Sequence, residues 1–225
     1  MKLLAIDCAA SLCAACVYDA EAGRELGRSV LDLGKGHAEH LMAVIEEALK
    51  ISATSYAGLG AIAVSVGPGS FTGLRVGVSA ARGLALALKI PAIGVTSLEA
   101  LAAQAADAYP GRPVLSALDA GREEIHAAFY DASMALAFGP AVTTLSEIVA
   151  IATDRSPVLA GTAAVQIADA TGRAFDIGPT AATADIAVYA RLAAAKGEGE
   201  RPKPLYLRGA DAKPQAGFIL ARLRP

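Results

Sequence analysis

The strongest chemical signal in the chain is Val66-Gly67-Pro68-Gly69-Ser70-Phe71-Thr72-Gly73-Leu74-Arg75-Val76-Gly77. Glycines that lead from an apolar run into a helical pattern leave backbone amides unpaired at the positive end of a helix dipole, where an anion can be held. The string lacks the Gly-Lys-Ser/Thr ending of a P-loop and is not Gly-x-Gly-x-x-Gly, so two readings stand. Ser70 and Thr72 help to cradle an anion, or the glycines bring turn and helix close to a neighbouring element. His37 and His40 are three apart and would approach one metal ion from one helix face. No third ligand stands nearby except Glu39, which a helix turns elsewhere, so capping and packing are expected of them and no metal. The remaining histidine, His126, falls in a strand pattern, and no Gly-x-Ser-x-Gly elbow surrounds any serine, which leaves nucleophilic hydrolysis unsupported. Cys13-Ala14-Ala15-Cys16 has CxxC spacing but reads as strand, where residues three apart face opposite sides. With Cys8 it makes an odd, crowded set, expected to be small buried hydrophobes in a reducing compartment.

Positioning these residues takes a repeated α/β unit. Apolar runs predict strands at 3–7, 13–18 and 24–32, a helix at 36–50 with Leu41, Ile45 and Leu49 at helical spacing, and a strand at 61–66. A helix at about 73–88 follows the glycine-rich turn, then a strand at 93–95 and a helix capped by Thr96 or Ser97 and running through Ala106. Further strands are expected at 114–119 and 125–131, a helix near 146–152, a strand at 157–160, and helices near 162–170 and 183–196. Residues 197–204 read as a polar linker and 204–208 as an extended closing segment. Asp7 and Asp119 each end an apolar run, and a Tyr-Asp pair follows each eleven residues later, at Tyr18-Asp19 and Tyr130-Asp131. That repeat, offset by 112 residues, divides the chain into halves 1–108 and 109–225, the second reduced.

The helix after the glycine-rich turn carries Gly73, Gly77, Ala80, Ala81 and Gly83. Glycine inside a helix costs about 1 kcal/mol relative to alanine, so Gly77 asks for a compensating close contact. The helix at 38–50, with Leu41, Val44, Ile45, Ala48 and Leu49, is one candidate neighbour, and both helices would also suit a second subunit. That both simply cover the sheet is equally open.

The composition, 54% hydrophobic and 19% charged over 225 residues, supports a sizeable folded core. Fifty-three residues are alanine and none is tryptophan, so close packing of small and aliphatic side chains is expected. A net charge of −2 excludes nucleic-acid binding through bulk positive charge. The charge is uneven: residues 1–190 carry −7 and residues 191–225 carry +5, a basic tail that reads as a solvated helix and extension or as a contact for an acidic partner or RNA. Asp7 interrupts the opening apolar run, so no export signal is expected. The uncharged stretch 51–74 contains five glycines, a proline and six serine or threonine residues and reads as strand and turn rather than a membrane span. A cytoplasmic protein without membrane contact is expected.

The order strand, strand, strand, helix, strand, helix, given twice, resembles the actin, sugar-kinase and Hsp70-type (ASKHA, ribonuclease H-like) mixed sheet with helices. In that superfamily a ligand sits in the cleft between halves, and the resemblance puts Asp7 and Asp119 beside its phosphates and metal. Leu4-Ala5-Ile6-Asp7, the string 67–78, Thr96-Ser97-Leu98-Glu99-Ala100-Leu101 and Leu118-Asp119-Ala120-Gly121-Arg122 closely resemble the bacterial TsaB (YeaZ) family over residues 1–135. Pro204-Leu205-Tyr206-Leu207-Arg208 with Asp211-Ala212-Lys213 resembles its C-terminal signature. The resemblance implies a non-catalytic subunit, without catalytic residues, cofactor or metal. It would dock as a heterodimer on the transferase TsaD, which moves a threonylcarbamoyl group to N6 of the adenosine 3′ of the anticodon in ANN-reading tRNAs. The P-loop ATPase TsaE would join the pair, tRNA would be met through the complex, and the isolated subunit would pair with itself. The family's dimer surface maps to helices 38–50 and 73–88, and so to His37, Leu41, Val44, Ile45, Ala48, Gly73, Val76, Gly77, Ala80, Ala81 and Leu84. Anion or nucleotide contacts, if made, would fall to Asp7, Ser70, Thr72 and Asp119. Asp7-Cys8-Ala9-Ala10 departs from the family's commoner Asp-Thr-Ser/Ala, removing a hydroxyl next to phosphate, which favours the non-catalytic reading. Two alternatives remain: an ATP-binding ATPase or kinase using Asp7 and Asp119, and a metalloprotease holding zinc on His37 and His40.

Overall fold

In the computed structural model residues 1–197 and 199–208 are described. Leu3, Leu4, Ala5 and Ile6 are all buried although strand residues alternate between faces, which requires a sheet covered on both sides. Strand β1 (Lys2–Asp7) lies at its centre, antiparallel to β2 (Leu12–Asp19), which pairs antiparallel with β3 (Arg24–Asp32). On its other side β4 (Ala61–Ser65) and then β5 (Ala92–Val95) run parallel, for an order β3-β2-β1-β4-β5. The second sheet repeats this with one strand fewer: β6 (Val114–Asp119), β7 (Glu124–Tyr130), β8 (Leu136–Thr144) and β9 (Val158–Ala160), in the order β8-β7-β6-β9. The starts of β6, β7 and β8 fall 112 residues after those of β1, β2 and β3, the same offset as the sequence repeat.

Among the described residues six α-helices cover the sheets. The outer face of the first takes α1 (His37–Ile51) and α2 (Phe71–Leu88), and that of the second takes α4 (Leu145–Arg155) and α5 (Ala164–Thr171). Between the sheets lie α3 (Ser97–Ala108) and α6 (Ile186–Lys196), which share one apolar cluster with both inner sheet faces. The two are exchanged: α3 follows β5 but packs on β6, and α6 comes from the second half but packs on β1 and β2. Each fully buried Leu or Ile side chain contributes about 1.5–3 kcal/mol. The many buried alanines, among them Ala100, Ala102, Ala105, Ala190 and Ala193, let these inner helices come close to the strands.

Local chemistry sets the helix ends. Thr96 caps α3 by accepting from the Glu99 N–H at 3.1 Å, Thr144 and Glu147 form a capping box on α4, and Asp185 accepts from the Ala187 N–H at 2.9 Å. Ser70 caps α2 by accepting from the Gly73 N–H at 3.3 Å, which starts that helix at Phe71, two residues before the position expected from its apolar pattern. By length and composition α2 is apolar enough to cross a membrane, yet Gly73, Leu74, Gly77, Val78, Ala81 and Ala85 are buried. The strand β8 is missing from the sequence reading: Gly139-Pro140 breaks its apolar pattern, and at the edge of its sheet Thr143 is its one buried residue, which hides the alternation of a half-buried strand.

The glycines of α2 do different jobs. A Cβ on Gly73 would overlap the carbonyl oxygen of Cys8, so backbone meets backbone there. At Gly77 the neighbours are Cys8 Cβ at 3.6 Å and Val64 at 3.7 Å. The close contact expected of Gly77 is therefore with the sheet and not with the helix at 38–50. Gly83 is exposed with nothing within 4 Å. Gly83→Ala is expected to raise unfolding free energy by about 0.5–1 kcal/mol, whereas Gly73→Ala lowers it by about 2 kcal/mol or more by forcing the turn and helix apart. Urea denaturation of the two variants checks this, and equal effects would show that no backbone approach governs the site.

Candidate functional site

The ends of β1 and β6, the turn before α2 and the turn after β9 converge between the two sheets, as expected of open α/β folds. A cleft of about 910 Å³ opens there, within the range of small-molecule sites. Ser70, Phe71, Arg75, Asp119, His126 and Thr162 contribute to its walls.

The two repeat-related aspartates have different surroundings. Asp7 is 2% exposed, is not part of the cleft lining, and accepts hydrogen bonds from the Ala9 N–H at 2.9 Å and from the hydroxyl of Ser65. Burial raises its carboxyl above the usual carboxylate range, and hydrogen bonds from Ser65, Ala9 and the side chain of Thr183 offset part of that rise. Asp119 is exposed and lines the cleft; its carboxylate accepts from the Gly121 N–H at 2.8 Å, and its own N–H donates to Thr162 Oγ1 at 2.9 Å. The pairing of Asp7 with Asp119 around a phosphate and metal is thus not what the geometry presents, because one carboxylate is spent as an internal turn anchor. Ser70 reaches the cleft with its hydroxyl engaged as the α2 cap, and Thr72 is exposed outside the lining.

One wall was not foreseen. Residues 205–208 lie across the cleft as a strap tied to both halves. The Leu205 N–H donates to the Val66 carbonyl at 2.7 Å, Arg75 Nε donates to the Tyr206 hydroxyl at 2.9 Å, and the Arg75 guanidinium lies 3.9 Å over the Phe71 ring. The Phe71 and Tyr206 ring centroids are 5.2 Å apart. On the far side Arg208 Nε donates to Glu124 at 2.7 Å and its Nη2 to the Ala120 carbonyl at 3.2 Å. The sequence marks this stretch as extended, but nothing local in Leu205-Tyr206-Leu207-Arg208 names its partners more than 80 residues away. His126, half-buried on the cleft wall, has an unpartnered Nε2, and burial and then Arg208 lower its pKa. Asp211, Lys213 and the rest of the basic tail from residue 209 lie outside the described residues.

The expected partner-binding residues divide by face. His37, Leu41, Val44, Ile45, Ala48, Gly73, Gly77 and Ala81 are buried beneath their own helices, which corrects the sequence reading: the small and apolar ones serve the sheet, and His37 is a buried polar group whose Nε2 has no hydrogen-bond partner. Val76, Ala80 and Leu84 are partly buried at the margin of the same apolar cluster and keep some surface open to solvent. The outward apolar groups on these helices include Met42, Phe71 and Leu86, the last 77% exposed. His37 is buried and His40 exposed, and the cap of α1 is Gly36 without a side-chain hydrogen bond, so neither histidine caps the helix. Among the described residues no group of three or more His, Cys, Asp or Glu could hold a metal ion.

Comparison with known proteins places these features. Residues 32–196 match the family model TsaD: tRNA N6-adenosine threonylcarbamoyltransferase. The chain is 35% identical over 133 residues to the tRNA threonylcarbamoyladenosine biosynthesis protein TsaB of Escherichia coli (strain K12), a match covering 58% of this chain and 55% of that protein. It thus spans about half the length of that curated relative. The solved structure of YeaZ from Pseudomonas aeruginosa superposes with a TM-score of 0.77 at 26% identity, covering 92% of this chain and 99% of that one. An inorganic polyphosphate/ATP-glucomannokinase from Arthrobacter sp. strain KM, at TM-score 0.51 and 14% identity over 87% of this chain and 98% of that one, shares the fold alone. The mixed, duplicated architecture is that of the actin and sugar-kinase folds.

Two outcomes test the site's anatomy. An aspartate whose folded-state pKa lies above its ordinary value of 3.8 costs stability when ionised, a cost absent at lower pH and growing as pH rises through the folded value. Asp7→Asn keeps an acceptor for Ala9 without the charge. Its melting temperature is expected to exceed the parent's at pH 7 and to converge with it below about pH 4; a less stable variant at pH 7 would show that the charge itself is needed. Arg208→Ala should lower unfolding free energy by about 1 kcal/mol and speed protease cleavage between residues 197 and 208, and unchanged digestion would remove the strap's role.

Proposed function

We propose, from the premise that this chain belongs to the TsaD family and to its TsaB (YeaZ) branch, that it serves tRNA threonylcarbamoylation as a non-catalytic partner subunit and not as the transferase. The observation that supports this most is the state of the cleft. The carboxylate that the superfamily would bring to phosphate, Asp7, is withdrawn into the core, and the strap bridges the opening. A catalytic relative would need that carboxylate and that opening free for substrate.

In this reading the chain docks on TsaD as a heterodimer through the outer side of α1 and α2, TsaE joins the pair, and tRNA is met through the complex. The reaction served is transfer of threonylcarbamoyl to N6 of the adenosine 3′ of the anticodon in ANN-reading tRNAs, in the cytoplasm. The isolated chain pairs with itself by the same surface. The contact falls on Val76, Ala80 and Leu84 together with exposed Met42 and Leu86, because the remaining residues of the expected set face the sheet.

Co-expression with TsaD followed by size exclusion tests the assignment. Ala80→Arg places charge at a partly exposed position and is expected to weaken the complex at least about 100-fold, as an unpaired charge in an interface core does, while circular dichroism stays unchanged. Gly77→Arg is a poor probe because its side chain would drive into Cys8 and Val64. Undiminished complex formation by Ala80→Arg overturns the docking surface. Calorimetry with Mg-ATP discriminates the alternative reading as an ATPase or kinase: tight binding lost in Asp7→Ala would replace the partner assignment.

A further inference from the structure

The β1–β2 register runs Lys2 opposite Asp19 through Asp7 opposite Ala14, and one more step sets Cys8 opposite Cys13. The Ala20 N–H donates to the Met1 carbonyl at 2.9 Å, which makes the odd-numbered positions of this pairing the hydrogen-bonded ones. Continued one step past the end of β1, the register brings Cys8 and Cys13 to a non-hydrogen-bonded position, where facing side chains share a face. Both belong to the apolar cluster beneath α1 and α2, where each thiol lies close enough to shift the other's pKa, that of Cys8 upward and that of Cys13 downward. Cys16 points the other way, into the layer of α3 and α6. The CxxC spacing thus names the wrong partner for Cys13; the register names Cys8.

We propose that Cys8 and Cys13 form a modification site, a cross-strand dithiol that a low-molecular-weight disulfide of the glutathione class converts to an intramolecular disulfide. Once the turn between them opens, one of the two thiols attacks first, and the roles exchange according to which of them leads. Where Cys13 leads, its sulfur bonds to one sulfur of the small disulfide and expels the other as a thiol, which carries away the Cys13 proton. Cys8 then attacks the Cys13 sulfur of the mixed disulfide and expels the second small thiol with the Cys8 proton. The protein loses two electrons and two protons, and the small disulfide gains both.

Both thiols are buried, Cys8 at 1% exposure, so reaction follows opening of the turn at residues 9–12. That turn is held by the Ser70 N–H on the Ala9 carbonyl at 2.7 Å and by the Leu33 and Gly34 N–H groups on the Ser11 carbonyl at 3.0 and 3.1 Å. Cys8 also supports the first turns of α2 through its contacts at Gly73 and Gly77. The bond consequently pins the strand end on which α2 rests.

The full chain is incubated with oxidised glutathione, alkylated with one reagent, denatured with more of that reagent, then reduced and alkylated with a second. Fragment-ion mapping is expected to find the first label on Cys16 and the second on Cys8 and Cys13, with a rate that rises several-fold in sub-denaturing urea and a higher melting temperature in the oxidised form. Cys8→Ser and Cys13→Ser should each stop at a mixed disulfide, so either variant that folds carries the control. First label on all three cysteines in both buffer and urea, a disulfide containing Cys16, or disulfide-linked dimers would overturn the site.

Discussion

The close approach of two backbones, the carbonyls of Cys8 and Ala9 against the first turn of α2, is the constraint on which the rest of this structure depends. Gly73 is required because a Cβ would overlap the Cys8 carbonyl oxygen, Gly69 because one would overlap that of Ala9, and the Ser70 N–H closes the contact on Ala9 at 2.7 Å. Helix α2 is thereby pressed against the end of β1, and the turn after β1 folds back so that Asp7 takes the Ala9 N–H. A strand-to-helix glycine turn can cradle an anion, but here the amide of Ser70 is already used by a neighbouring carbonyl. Of the two readings the string 66–77 allowed, the contact between elements is the one the structure displays.

From that contact the two halves diverge. Their first three strands keep one spacing, yet the Asp at the end of β1 is buried and that at the end of β6 is exposed. An ionised carboxylate is tolerated in the core only where donors surround it, and Ser65, Ala9 and Thr183 supply them. Thr183 belongs to the approach to α6, the helix contributed by the second half to the first sheet, so the buried Asp7 carboxyl meets a segment of the other half. Outside the core, Arg28 of β3 grips Asp185 at the start of α6 at 2.7 Å, and Arg191 of α6 grips Asp107 of α3 at 2.6 Å. These ion pairs are largely exposed and add little energy. Their contribution is to orient α6 over apolar contacts that hold it in place.

Legibility in the sequence followed the range of the interactions. The strands, the Thr96 cap and the duplication were readable because alternation, capping residues and a repeat are local or self-referential signals. Strand β8 was not, since Gly139-Pro140 and edge exposure erase its pattern; the 112-residue offset from Arg24–Asp32 is the signal that would have located it. Nothing could have announced the strap, whose contacts with Val66, Arg75 and Glu124 join positions remote in sequence. Asp7 and Asp119 look equivalent as strand-end carboxylates, and only the hydrogen-bond donors brought by other elements separate them.

The small-residue face of α2 shows why spacing alone misplaces an interface. A run of Gly and Ala at helical intervals says that something approaches closely, but a sheet, a second helix and a foreign subunit ask for the same residues. The decision comes from what lies on the opposite side of the helix. Here the small face rests on β1 and β4, Phe71 at the first turn packs with Arg75 and Tyr206 at the cleft, and Leu86 near the far end is left 77% exposed on the side turned away. Alanine and glycine therefore explain how α2 comes to lie so close to the sheet, while Val76, Ala80, Leu84 and Leu86 define what the helix offers beyond it.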